Sequence, residues 1–334
     1  FRSKTHYNNY YNINLNRLLN CRSIVVFKKN QSLISYICAD KMKKSFLPWI
    51  ILIALSLVWG SSFILMKRGL MAFSSDEVAA LRITIASVFL SPLLFKYYKI
   101  DLLKNLKGLL IMGVFGNLIP AFLFTKAETQ ISSSLTGMLN ALTPLFTILV
   151  GIILFQQKIT KPKFLGVMIG FMGAVSLIVF GDSHEQSQNT QYCLLVVAAT
   201  LCYAISVNGI KAYLSGINSI TATVWAFTLI GPAAAIYLFG FTDVIQHAKN
   251  SPYGLSALGY ISILAIVGTA ISVILFNLLI KLSGAVFASS CTYLIPIVAI
   301  GWGLMDGELV NAYQILAVII IIGGIWLINT VKKE

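Results

Sequence analysis

The chain has 334 residues, 57% of them hydrophobic and only 11% charged, with a formal net charge of +14. Soluble domains carry about 25% charged residues, so a water-soluble globule is excluded. A β-barrel is excluded as well, because the apolar runs are continuous rather than alternating, and the basic residues are spread over short loops, which argues against nucleic acid as a partner.

Residues 1–41 are rich in Asn and Tyr, carry scattered basic residues and show no helical or strand period. The sequence opens with Phe1, whereas Met42-Lys43-Lys44 begins a good membrane-insertion signal. This leader is expected to be non-native upstream sequence or a disordered basic tail, outside the fold. From Phe46 onward ten apolar spans are expected, at 46–66, 77–95, 108–125, 134–155, 164–181, 192–213, 219–240, 256–280, 284–305 and 312–330. Each approaches the roughly 20 residues that cross a bilayer core. The expected fold class is therefore an all-α polytopic membrane protein with ten transmembrane helices.

Orientation follows from Lys and Arg in the short loops. With the N-terminus inside, thirteen basic residues fall on the inner side (among them Lys43, Lys96, Lys104, Lys158, Lys211 and Lys281) and four on the outer (Lys67, Arg68, Lys126 and Lys249). The expected location is the bacterial cytoplasmic membrane, crossed many times, with both termini cytoplasmic.

The spans repeat. Leu139-Asn140-Ala141-Leu142-Thr143-Pro144-Leu145 is echoed by Thr292-Tyr293-Leu294-Ile295-Pro296-Ile297. With Pro144 set on Pro296, Gly151 meets Gly303, Gln156 meets Glu308 and Phe124 meets Phe276. Trp59-Gly60-Ser61-Ser62 pairs with Tyr203-Ala204-Ile205-Ser206, and Lys67 with Lys211. The copies are 42–181 and 192–330, five spans each. An odd number of crossings turns the second copy over, which gives an inverted repeat with a site expected where the copies meet.

Polar groups within a bilayer must pair or line a wet cavity. The candidates for a substrate path are Trp59, Ser62, Asn117, Asn140 and Thr143 in the first copy and Tyr203, Ser206, Asn277, Thr292 and Tyr293 in the second. Hydroxyls can instead bond their own helix, whereas an amide needs partners on both sides. Pro144 and Pro296 free backbone carbonyls for a ligand, or merely kink their spans. Arg82, about two turns into its span, is the best internal charge, free to snorkel outward, pair with Asp76 or reach the cavity. Lys67, Lys211 and Glu308 are read as charges at the mouths, where the lysines either attract an anionic metabolite or snorkel. No Asp or Glu stands at a span centre, so a proton-coupling group is either peripheral (Glu128, Asp306 or Glu308) or absent. Gly166-Val167-Met168-Ile169-Gly170 and Gly323-Gly324 favour close helix packing, within the chain or across a homodimer.

The five cysteines and three histidines form no metal-ligand spacing. No metal, cofactor or catalytic residue is expected.

Trp59-Gly60-Ser61-Ser62-Phe63, Ala80-Leu81-Arg82-Ile83, the two proline spans, Gly307-Glu308 and the duplicated ten-span pattern resemble the drug/metabolite transporter superfamily, EamA type, over residues 42–330. The resemblance implies ten helices around a central cavity, and alternating access for small metabolites, often efflux of amino acids or related compounds. It also implies a cavity lined by the first, third and fourth spans and their repeat partners. Gln156 departs from the Glu often found there, which removes a symmetric acid pair. The competing readings are a membrane-embedded enzyme, which lacks the central acids and histidines such chemistry needs, and a channel or structural subunit. The expected function is a permease whose partners are a small polar metabolite and the lipid bilayer.

Overall fold

The structure, a computed structural model, describes residues 31–156, 161–180 and 186–330. The expected leader falls outside these up to residue 30, and the compact unit Phe1–Leu47 contributes only the beginning of the first helix. All other packing belongs to the unit Pro48–Glu334.

Every regular element among the described residues is helical. The chain runs through α1 (Gln31–Gly69), α2 (Ser75–Tyr97) and α3 (Leu102–Leu110), which continues through a π-helical segment (Ile111–Leu118) into α4 (Ile119–Ala127). Next comes α5 (Ser133–Leu139), joined by a 3-10 turn (Asn140–Leu142) to α6 (Thr143–Phe155) and followed by α7 (Lys161–Phe180). The second part has α8 (Gln186–Tyr213), α9 (Ser219–Phe241), a short α10 (Val244–Asn250) and α11 (Gly254–Ala265). A π-helical segment (Ile266–Ile271) leads into α12 (Ser272–Ser283), and α13 (Ala285–Ser289) passes through a 3-10 turn (Ser290–Tyr293) to α14 (Ile295–Met305) and α15 (Ala312–Thr330).

Among the described residues, eight helical stretches are long and apolar enough to cross a membrane, and Phe164–Val179 and Ala312–Gly324 are shorter apolar helices. Many of their outward side chains, such as Phe95, Ile153 and Leu255, are large, apolar and exposed. Such a surface suits lipid rather than water. Polar caps mark the ends: Ser74 and Glu77 form a reciprocal capping box before α2, and Ser132 accepts from the Leu135 N–H before α5.

The interruptions have local causes. Pro120 has no N–H for the carbonyl of Gly116, so the ladder slips, and Asn117 donates its amide to Met112 O at 3.0 Å. Pro144 likewise leaves Asn140 O free, and the Thr143 hydroxyl takes it up at 2.8 Å. Around the second 3-10 turn, Ser56 Oγ reaches across from α1 to Cys291 O at 2.7 Å. The two π segments and the two 3-10 turns thus sit at comparable places in the two parts of the chain.

Contacts join matching elements: α2 packs on α9, α7 on α15 and α5 on α14, while α8 lies against the first π segment, α4 and α6. The glycine pattern is used inside the chain. A Cβ on Gly324 would fall 2.6 Å from both Gly166 O and Gly170 N, so α7 and α15 touch backbone to backbone there. This accounts for Gly166, Gly170 and Gly324 without a second copy. Gly323 faces open space.

Candidate functional site

A cavity with about 840 Å³ of empty space, part of it open to solvent, lies among α1, α2, the two π segments, α8, α12 and the two 3-10 turns. Aromatic rings line it in two groups. Tyr203 stacks on Phe124 at 5.7 Å, Phe124 meets Phe63 at 5.8 Å, and Trp59 stands edge-on to Phe276 at 5.1 Å. The Trp59 indole N–H donates to Gly268 O at 2.9 Å, which ties α1 to the second π segment at the cavity wall.

Ten of the residues expected on the path line this space: Trp59, Ser62, Arg82, Asn117, Asn140, Thr143, Tyr203, Ser206, Asn277 and Thr292. Three do not. Pro144 and Pro296 are buried at the first turns of α6 and α14, and Tyr293 packs with the apolar core beside them. The carbonyl that Pro144 frees is already bonded to Thr143, so it is not presented to a ligand.

Within the lining, the hydroxyls of Ser62, Thr143 and Thr292 bond backbone carbonyls of their own helices. Asn277 donates to Thr223 Oγ1 at 2.9 Å, and among the described residues its buried Oδ1 has no partner. Asn140 is different. Its carboxamide oxygen has a contact with the Thr143 hydroxyl at 3.4 Å, and among the described residues its NH₂ has no acceptor. Arg82 is almost fully buried and donates Nε–H to Thr269 Oγ1 at 2.7 Å. It does not pair with Asp76, whose carboxylate accepts from the Tyr237 hydroxyl instead. Nη1 also reaches Met66 Sδ at 3.9 Å and the guanidinium lies beside Tyr203, so Arg82 is partly engaged at the cavity wall, where a buried guanidinium still invites a carboxylate.

The mouth charges divide. Lys211 is exposed. Glu308 is not a free mouth charge, because its side chain is only 7% exposed and is bound among the ends of α1 and α5. It accepts from Ser133 N at 3.1 Å, Ser133 Oγ at 2.8 Å, Ser134 N at 3.0 Å and Ser134 Oγ, which caps the start of α5. Lys67 Nζ pairs with Glu308 at 2.7 Å and with Asp306 at 2.6 Å, and Arg68 also pairs with Asp306. Burial pushes the Glu308 carboxyl up, but the hydrogen bonds from Lys67, Ser134 and Ser133 outweigh it and hold the group at about 2. Gln156, its repeat partner, is exposed and left-handed at φ 51°. One end is therefore latched by charge and the matching position at the other copy is not.

The EamA-like transporter family model matches the chain twice, over residues 47–179 and 190–330. The chain belongs to the EamA-like transporter family. The uncharacterized inner membrane transporter YedA of Escherichia coli K12 is 25% identical, over 84% of this chain and 90% of its own length. A probable terminal-alkyne amino-acid exporter of Streptantibioticus cattleyicolor is 22% identical, over 66% of this chain and 76% of its own. A protein solved by crystallography superposes with a TM-score of 0.60 at 16% identity, covering 84% of this chain and 96% of that one, a likeness of fold alone.

In this EamA-like transporter the sequence does not reveal the ring wall, nor the surroundings of one of its peripheral acids. Phe63, Phe124 and Phe276 build the wall, yet a Phe in an apolar run carries no mark that separates cavity from lipid. Glu128, just past the end of α4, stands in the sequence only as one of three peripheral acids that could couple a proton, with nothing to show its burial. It is 8% exposed, and among the described residues neither carboxyl oxygen has a hydrogen-bond partner. Its signal was its position one turn beyond Phe124, a spacing that keeps both on one helix face.

Proposed function

We propose that this chain is an alternating-access carrier that moves a small polar metabolite, an amino acid or a related compound, outward through the cavity around Arg82 and Asn140. In this reading ten spans form two oppositely oriented copies, both termini lie in the bacterial cytoplasm, and the copies rock about the shared site. The observation that carries it is a single cavity lined from both family-matched regions, with a buried guanidinium and a free amide set in an aromatic wall. Arg82 receives the carboxylate of a zwitterion, Asn140 donates to it or to a neighbouring oxygen, and the faces of Trp59 and Tyr203 accept the ammonium. The contacts between matching elements, α2 with α9 and α7 with α15, support a duplicated bundle with a two-fold relation. The related exporter from Streptantibioticus cattleyicolor, named for an amino-acid substrate, favours the same class.

The test is metabolite export. Cells making the chain and cells making Asn140→Ala at equal membrane levels are compared by profiling solutes in medium and extract. Export of an amino-acid-like solute is expected to fall about threefold to tenfold in the variant, the effect of one hydrogen bond of roughly 0.5–1.5 kcal/mol. Unchanged export removes Asn140 from the path, and an ungated ion current overturns the carrier reading.

A further inference from the structure

We propose that Glu128 is a proton-binding site that sets whether the latch Glu308 makes with Ser133, Ser134 and Lys67, at one end of the helices, is closed or open. This rests on reading the cavity as a solute path.

Glu128 ends α4: its N–H bonds Phe124 O at 3.0 Å, and the Phe124 ring is cavity wall. The side chain is buried, with both oxygens unpartnered among the described residues. Three charges act on it from three other elements, Glu308 from the segment after α14, Lys67 from α1 and Arg82 from α2. The cations are already engaged, Lys67 by Glu308 and Asp306, Arg82 by Thr269. Asp306 is in turn held by Lys67 and Arg68, and Lys126 on Glu128's own helix is exposed.

An ionised Glu128 would therefore be a second buried carboxylate near Glu308 with no hydrogen bond, an arrangement that costs several kcal/mol. Burial first, and then the Glu308 charge, push its carboxyl well above the ordinary value, with Lys67 and Arg82 opposing only in part. The closed latch is thus the form that takes up the proton. Proton loss to water leaves a charge that only hydration relieves, and water reaches it when Glu308 parts from Ser133 and Ser134. By linkage, falling pH favours the closed latch and rising pH opens it.

The experiment needs no solute. Spin labels are placed at Gln130→Cys, before α5, and Leu309→Cys, beside the latch, in a chain whose native cysteines are replaced. Both positions are exposed. Their distance is measured in lipid nanodiscs from mildly acidic to mildly basic pH. The expected result is one short distance in acid and a growing longer population as pH rises. Glu128→Gln, which mimics the protonated carboxyl, should stay short throughout, and Glu128→Asp should keep the response at a shifted midpoint. Infrared difference spectra should show a protonated-carboxyl band that fades over the same range and is missing in Glu128→Gln. A Glu128→Gln chain that follows the native pH profile, a native chain that does not respond, or absence of the band overturns the proposal. Failure of export with the pH-dependent distance intact counts instead against the solute path.

Discussion

At the scale of single residues, Gly303 shows how closely the latch is fitted. A Cβ there would lie 2.6 Å from Glu308 Oε2 and 2.8 Å from Ser134 Oγ, whereas one on Gly323 would meet nothing. Gly303→Ala is therefore expected to lower stability by roughly 1–3 kcal/mol, the usual range for overpacking, and Gly323→Ala to leave it near the native value. Thermal unfolding in detergent reads both. Glu308 gives a pH prediction of definite sign. Its carboxyl is held at about 2 against an ordinary 4.5, so its stabilisation is complete above pH 4.5 and is lost as pH falls towards 2. With Glu128→Gln as background, to remove the neighbouring titration, the stability difference between Glu308 and Glu308→Gln should be flat above pH 4.5 and shrink below it. A difference that vanishes near neutrality contradicts the ion pair. Arg82 and Asn140 were legible because a charge or an amide inside an apolar run needs a reason. Glu128 was legible only as one of three peripheral acids; its burial was not, because the run had ended and the burial comes from chain far away in sequence.

Helices show a similar division between what the residues announce and what packing decides. The prolines at 120, 144 and 296 mark where a ladder breaks. The second π segment, Ile266–Ile271, contains no proline, and its irregular carbonyls are taken up by Thr269, Ser272 and, from another helix, Trp59. Only the assembled bundle reveals it. Trp59→Phe keeps the ring and removes the N–H, and should cost roughly 0.5–1.5 kcal/mol, seen as earlier thermal unfolding. Gly170→Leu is a harsher change: even a Cβ there meets Leu145 Cδ1 at 2.5 Å, and Gly324 presses on the same backbone. Monodisperse yield in detergent should collapse for this variant, and normal yield would show that α7 and α15 can separate. The small-residue pattern was readable from sequence; which helix it met was not.

For the molecule as a whole, the asymmetry of the two ends matters most. Duplication would lead one to expect matched closures, yet Glu308 is clamped by Lys67 and α5 while Gln156 stands exposed. Orientation is open to direct measurement: with Lys99→Cys and Lys249→Cys, both exposed, a membrane-impermeant thiol reagent added to intact cells should label only the second. Labelling of Lys99→Cys would invert the proposed topology. A practical benefit follows from the wall described above. Of the five tryptophans, Trp59 is the one whose ring borders the cavity. With the other four changed to Phe, the protein becomes its own optical probe, because a solute settling against that indole must alter its emission. Compounds can then be screened by fluorescence alone, before any cargo has been named.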